Sequence, residues 1–527
     1  MNRILLVAAS VLFITLSGRG AVHPQTEASK SQQGGRVVPG VVIVKFGTGS
    51  GLLKGNALSS TLSAALQRRG VQQIRRAFPG VPSLAKANPM TAQGLDRIFY
   101  ASVDPAADVF TVAQAIARLP GIAYAEPKYL QTMYDVPNDP DFPTQQNAYF
   151  NLMHIPDAWT VVKTNGSVIV ADVDGGTYWQ HEDLSPNLWI NSGEDINHNG
   201  QFDPTASSSG GDLNGVDDDG DGYVDDVIGW NFTAGTNNPD GSPATPGSAS
   251  HGTATASHMA AVTNNDTGMA GSGWNPKLMP INAASAGTDD AIAFGYEGIQ
   301  FAAAHGAKVI NCSWGRQGSF SQFEHDVVVA ATAAGSLIVA AAANASTNND
   351  LVPNYPSSFK EVLGVGATNS TDDVVAGFTN FGMSVSVYAP GINIFSAFNG
   401  GGYGSGGSGT SYSSPLTAGL AAMLFAQHPG WTPRQVATQI RITADPIDGV
   451  NPAYTGYLGH GRVNFYRAVT ESHPGLEVLT VNTAVSSGQT FIVAGDSVRI
   501  SVTVRNILPG SADNVQFTLT SPDGSIR

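Results

Sequence analysis

The chain has 527 residues, a net charge of -15 and a single cysteine, Cys312. At roughly 100 to 200 residues per domain this length predicts about three units, and one cysteine excludes an internal disulfide. Charge is uneven: residues 22–133 carry 12 Lys+Arg against 5 Asp+Glu, whereas residues 134–527 carry 12 against 36. The acidic larger part argues against a nucleic-acid partner, and the opposite signs favour docking of the first part on the second.

In chain order, Arg3, the apolar run Ile4 to Leu16 and the small residues Ser17, Gly18 and Gly20 read as an export signal over residues 1–21, which predicts secretion. No later apolar run reaches the about 20 residues that span a bilayer, so no membrane span is expected in the mature chain. Residues 37–133 read as a small α+β unit, with strands at 41–46, 96–103 and 122–125 and helices at 59–70 and 109–119. Residues 137–150 are irregular and Pro-rich and read as a linker or extended arm, which sets a boundary near Met133.

Beyond it, continuous apolar runs at 168–173, 278–281, 309–312, 337–342 and 362–365 alternate with helical windows at 295–305, 323–334 and 414–428. Unbroken apolar strands separated by helices predict a mostly parallel sheet buried on both faces. Cys312 lies in such a run with no basic neighbour and reads as a buried structural thiol. Residues 474–527 change to period-two runs at 477–481, 497–504 and 515–519, the opening strands of a β-sandwich too short to be complete.

Three segments carry chemistry. Val168-Ile-Val-Ala-Asp-Val-Asp-Gly-Gly176 is a strand running into Asp174; His251-Gly-Thr253 opens a small-residue window; Gly409-Thr-Ser-Tyr-Ser-Ser-Pro415 precedes an Ala-rich helix. Their order, Asp then His then Ser, differs from the chymotrypsin and α/β-hydrolase orders, and Ser413 breaks the Gly-x-Ser-x-Gly pattern. From 137 to 470 the chain resembles the subtilisin-like serine peptidases. The resemblance implies a three-layer α/β fold and hydrolysis of polypeptides through an acyl-enzyme. Ser411 would be the nucleophile, His251 the base and then acid, and Asp174 the carboxylate that orients it.

Leu337-Ile-Val-Ala-Ala-Ala-Ala-Asn344 resembles the family's strand ending in an oxyanion-hole asparagine, which implies that Asn344 donates its amide beside the Ser411 N–H. Ser313-Trp314-Gly315 resembles the strand that pairs with substrate, and the same likeness places Ala341 and Ala342 at the substrate. The chain departs from the family pattern at Gly175, Ala254, Ala343 and Tyr412, where Thr or Ser, His, Gly and Met are usual. Asp172 lies on the same face of the strand as Asp174, and His181 sits in His-Glu-Asp-Leu184; neither is assigned a catalytic role.

Two loops place oxygen side chains at positions 1, 3, 5 and 9 with glycine at 6, as in an EF-hand: Asp195, Asn197, Asn199 and Asp203, then Asp217, Asp219, Asp221 and Asp225. Both lack the bidentate Glu at position 12, occupied by Ala206 and Ile228. Structural Ca2+ is the expected ligand, because crowded carboxylates repel unless a cation neutralises them. The unit at 37–133 resembles the family's inhibitory propeptide, an intramolecular inhibitor whose cleavage is expected between Gln131 and Asp135. The alternative is a catalytically inactive, calcium-binding adhesion protein on the same scaffold.

Overall fold

The computed structural model describes residues 13–17, 37–47, 53–54, 57–79, 94–129, 136–240, 251–286, 288–485, 498–512 and 515–520. The chain divides into two compact units, residues 22–133 and residues 134–527 together with 1–21. The expected cleavage window and most of the export signal lie outside the described residues.

In the smaller unit, four antiparallel strands stand in the order Gln73–Arg76, Ile98–Ser102, Val37–Phe46, Ile122–Tyr129. Val42, Val44 and Phe46 alternate inward and meet Leu62 and Leu66 of helix Ser60–Gln67 and Val109, Ala113 and Ile116 of helix Val109–Ala117. Both helices are on one face, the split β-α-β arrangement. Ser59 and Asp108 cap them through bonds from Leu62 N and Phe110 N. The strand at 73–76 was not expected. It is an edge strand with no fully buried residue, so it lacks the apolar alternation that marks a strand in sequence.

The larger unit is built on seven strands: β1 Ile169–Asp174, β2 Trp230–Asn231, β3 Lys277–Asn282, β4 Val309–Cys312, β5 Leu337–Ala341, β6 Leu363–Thr368 and β7 Val387–Pro390. All neighbours are parallel, in the order β7-β6-β5-β4-β1-β3-β2. Five helices cover it: α1 His251–Ala260, α2 Gly295–Ala304, α3 Gln322–Ala334, α4 Thr410–Gln427 and α5 Pro433–Ile442. Alternate residues of each strand face opposite layers. Val170, Val309, Leu337 and Val339 pack with α1, α4 and α5, whereas Ala171, Val173, Ile310, Cys312, Ile338 and Ala340 pack with α2 and α3. Burial on both faces is why the strands read as unbroken apolar runs, each buried Val, Leu or Ile contributing about 1.5–3 kcal/mol.

The chain winds from β1 toward β3 and then returns past β1 to β4, and such a switch point, at the carboxyl ends of β1 and β4, is where open α/β sheets take their ligands. Residues expected as an irregular arm include a π-turn at Phe142–Gln146 and a helix at Asn147–Leu152, whose Phe142, Tyr149 and Phe150 join the core. β2 and β7 were not expected, being two and four residues long. At the far end, Leu476–Val485 and Val498–Asn506 form a two-stranded ribbon, while Gln516–Thr520 pairs with Phe13–Ser17.

Candidate active site

Asp174 is the last residue of β1 and is buried. α1 begins at His251 and approaches that strand end closely because residue 252 has no side chain: a Cβ there would lie 2.3 Å from Gly176 O and 3.3 Å from Asp174 Cβ. The result is a bond of 2.7 Å between His251 Nδ1 and Asp174 Oδ1, joining a half-exposed imidazole to a buried carboxylate. Asp174 Oδ1 also accepts from Gly175 N at 2.6 Å, while its Oδ2 is buried with no donor among the described residues. Glycine at 175, where the family has a hydroxyl side chain, supplies nothing to that oxygen.

Ser411 lies in the first turn of α4, the helix expected to start only at 414. Its hydroxyl donates to Ser313 O at 2.9 Å, and Ser313 Oγ donates back to Ser411 O at 2.8 Å, which ties the helix start to the chain leaving β4. The positive end of α4 therefore lies at the nucleophile candidate.

Asn344 follows β5 after a sharp turn made by Ala343, whose φ of 87 lies in the left-handed region. Asn344 Oδ1 accepts from both the N–H and the hydroxyl of Thr410 at 2.9 Å each, and Thr410 Oγ1 accepts from Ala343 N at 3.2 Å. With its oxygen held, the Asn344 amide Nδ2 is turned toward Gly409, where a Cβ would lie 3.3 Å away. Thr410 was not singled out from sequence; its place directly before Ser411 was the available signal.

Of the expected substrate residues, Trp314 donates Nε1 to Val173 O at 2.7 Å, and Gly315 leaves no room for a side chain, with a Cβ 2.5 Å from Asn354 Nδ2. Ala342 has its N–H bonded to Val365 O and its C=O to Asn349 Nδ2, and Ala341 O accepts from Asn354 Nδ2 at 3.4 Å. Tyr412 packs against His258 at 5.2 Å between ring centroids and would clash with any side chain at 407.

Behind the site is a buried polar cluster. Asp172, fully enclosed, has Oδ1 2.8 Å from Asn311 Nδ2 and Oδ2 2.8 Å from Thr255 Oγ1. Burial first, and the Asp174 charge second, raise its carboxyl to about 8. His181 accepts from Asp183 N through Nδ1 and reaches Gly402 O with Nε2, a neutral structural imidazole held below the usual range by burial.

The ion loops divide. In the first, Asn197 and Asn199 both donate amides to Asp203 Oδ2, lowering that carboxyl, and Asp195 accepts from Asn199 N and Gly200 N. In the second, Asp217 and Asp219 converge with Glu194, which comes from 23 residues before Asp217, and Asp219 and Asp221 converge with His305. Asp225 instead accepts from Asn214 N and Gly215 N. Neighbouring Asp226 is buried, its Oδ2 has no hydrogen-bond partner among the described residues, and burial raises it to about 8. This oxygen-rich, charge-crowded donor set fits a divalent cation.

His251 and Asp174 are thus paired at the carboxyl end of β1, and the Ser313–Ser411 pair lies where the chain leaves the neighbouring β4. Residues 165–467 match the subtilase family. The chain is 32% identical over 363 residues to a thermophilic serine proteinase of Bacillus sp. (strain AK1), covering 69% of this chain and 76% of that protein. It is also 32% identical over 336 residues to thermitase of Thermoactinomyces vulgaris, covering 63% and 99%. A solved structure of proteases from Pseudoalteromonas arctica PAMC 21717 shares 27% identity with a TM-score of 0.48 over 63% of this chain and 98% of that one. The chain belongs to the subtilase family. It is a serine-type endopeptidase with the subtilisin-like fold.

Proposed function

We propose that the endopeptidase works through Ser411, His251 and Asp174, and that it is made as a secreted precursor inhibited by its own residues 37–133. The 2.7 Å pairing of His251 Nδ1 with the buried Asp174 carries this reading, because it fixes the tautomer whose Nε2 lone pair can serve as base. The Ser411 O–H turns from Ser313 O to that nitrogen, and Oγ attacks the scissile carbonyl. The oxyanion is met by Asn344 Nδ2 and Ser411 N–H, and the imidazolium then protonates the leaving amine. Water repeats the sequence to release the acyl group. An extended substrate pairs with the chain at Ser313 to Gly315.

Supporting the precursor reading are the charge contrast between the units and the leader at 1–21. A matched relative from Xanthomonas campestris is named an extracellular protease. Among the described residues no helix is long and apolar enough to cross a membrane. Asp217, Asp219, Asp221 and Glu194 would hold a structural calcium ion, which supplies charge neutralisation to the loop and stabilises only the folded form.

The test is a casein digest together with labelling by a fluorophosphonate, on protein freed of residues 37–133. Cleavage and labelling are expected, both lost in Ser411→Ala; a wild type that neither cleaves nor labels at Ser411 sinks the reading.

A further inference from the structure

The buried cluster behind the site ties one fully enclosed carboxyl, Asp172, to two neighbouring segments of chain. Thr255 Oγ1 lies 2.8 Å from Asp172 Oδ2 and 3.1 Å from each of the backbone carbonyls of His251 and Gly252, yet a hydroxyl has one hydrogen to give. On the other side, Asn311 donates its two amide hydrogens to Asp172 Oδ1 at 2.8 Å and Ser313 Oγ at 3.0 Å, while its Oδ1 accepts from Ser414 Oγ at 2.7 Å. Asp172 Oδ1 must therefore accept, and Oδ2 is the one oxygen free to bear a proton. With a proton there, Asp172 donates to Thr255, and Thr255 can donate to one of the two α1 carbonyls. With Asp172 ionised, Thr255 is drawn to the carboxylate and both carbonyls lose it.

We propose that Asp172 is a positioning residue of the proteolytic machinery, resting on the reading of Ser411, His251 and Asp174 above. As the neutral acid, it bridges α1 through Thr255 and the Ser313–Ser411 pair through Asn311, so that one carboxyl on β1 holds the segments bearing base and nucleophile against the strand bearing Asp174. The titratable groups facing it are Asp174 on its own strand, His251 from α1 and Cys312 on β4, and among the described residues it forms no ion pair. Deprotonation at alkaline pH puts a second negative charge beside Asp174 and reverses the Thr255 bond, whose hydroxyl then donates to the carboxylate.

Asparagine reproduces the neutral acid, accepting from Asn311 and donating to Thr255, whereas valine can do neither. Asp172→Asn should keep kcat/KM at pH 7 within about threefold and lose the decline that wild type shows above pH about 8; Asp172→Val should lose about tenfold or more, chiefly in kcat. Because a carboxyl with a raised folded pKa costs stability as pH rises, the melting-temperature gain of Asp172→Asn over wild type should grow from pH about 4 to about 8 and then level off.

Infrared spectroscopy on Ser411→Ala, which needs no turnover, should show a protonated-carboxyl band at pH 7 that disappears in Ser411→Ala/Asp172→Asn. Absence of that band, or Asp172→Asn as impaired as Asp172→Val, overturns the proposal. An inactive wild type that retains the band defeats the peptidase roles instead and leaves the protonated bridge standing.

Discussion

At the scale of single residues, the site depends on side chains that hold other side chains. Asn344 can offer Nδ2 because Thr410 binds its oxygen twice. Asn344→Leu should lower kcat by about 10²–10³ with KM little changed, the magnitude established for this donor in a subtilisin itself. Thr410→Val should lower kcat less, and the two losses should fall short of additive in a double-mutant cycle, since they act on one donor.

Ala343 is a separate case: its φ of 87 is a conformation that costs a residue with a Cβ about 1–2 kcal/mol. Ala343→Gly should raise stability by about 1 kcal/mol after the added chain entropy of glycine, with activity retained, as chemical denaturation would read. The catalytic candidates were legible in sequence because each chemistry-bearing residue sits in a short patterned segment. Asp172 was seen but set aside, because its significance lies in Thr255 and Asn311, which are 83 and 139 residues away along the chain.

Among the elements, the buried central strands of the larger sheet could be read from sequence, whereas its two edge strands and the strand at 73–76 could not. β1, β3, β4, β5 and β6 are buried on both faces and announce themselves as apolar runs, whereas β2 and the strand at 73–76 are peripheral and carry no such signal. α4 was expected four residues late because Gly409-Thr-Ser-Tyr lacks helix-forming residues, and its first turn is fixed by bonds to Asn344 and Ser313 instead.

The second acidic loop shows the same limit. Its EF-hand spacing was visible, but Glu194, which converges with Asp217 and Asp219, lies outside the loop, and no local pattern points there. Chelation should lower the melting temperature of the wild type. Glu194→Gln should remove more of that chelator-sensitive increment than Asp225→Asn, because Glu194 converges with Asp217 and Asp219 and Asp225 does not. Equal effects of the two substitutions would show that the loop holds its ion in another way.

For the whole molecule, the decisive feature is a division into two units of opposite charge. The smaller has its own core and helix caps, which suits a part that folds as a unit. Added in trans to the processed enzyme, residues 37–133 should inhibit casein cleavage, and the inhibition constant should weaken as salt is raised, because attraction between the net charges is screened beyond about 8–10 Å. Inhibition insensitive to salt would assign the affinity to apolar contacts. This division was readable from charge counts and composition, whereas the pairing of residues 13–17 with 516–520 joins chain ends that no sequence window spans.

The ring of Tyr412 stands beside the nucleophile, where the family more often has a thioether. A thioether takes up oxygen from peroxide and becomes bulky and polar, but a phenol does not follow that route. Exposed to hydrogen peroxide, this enzyme should keep its casein-cleaving activity over the exposure, because position 412 offers no sulfur to oxidise.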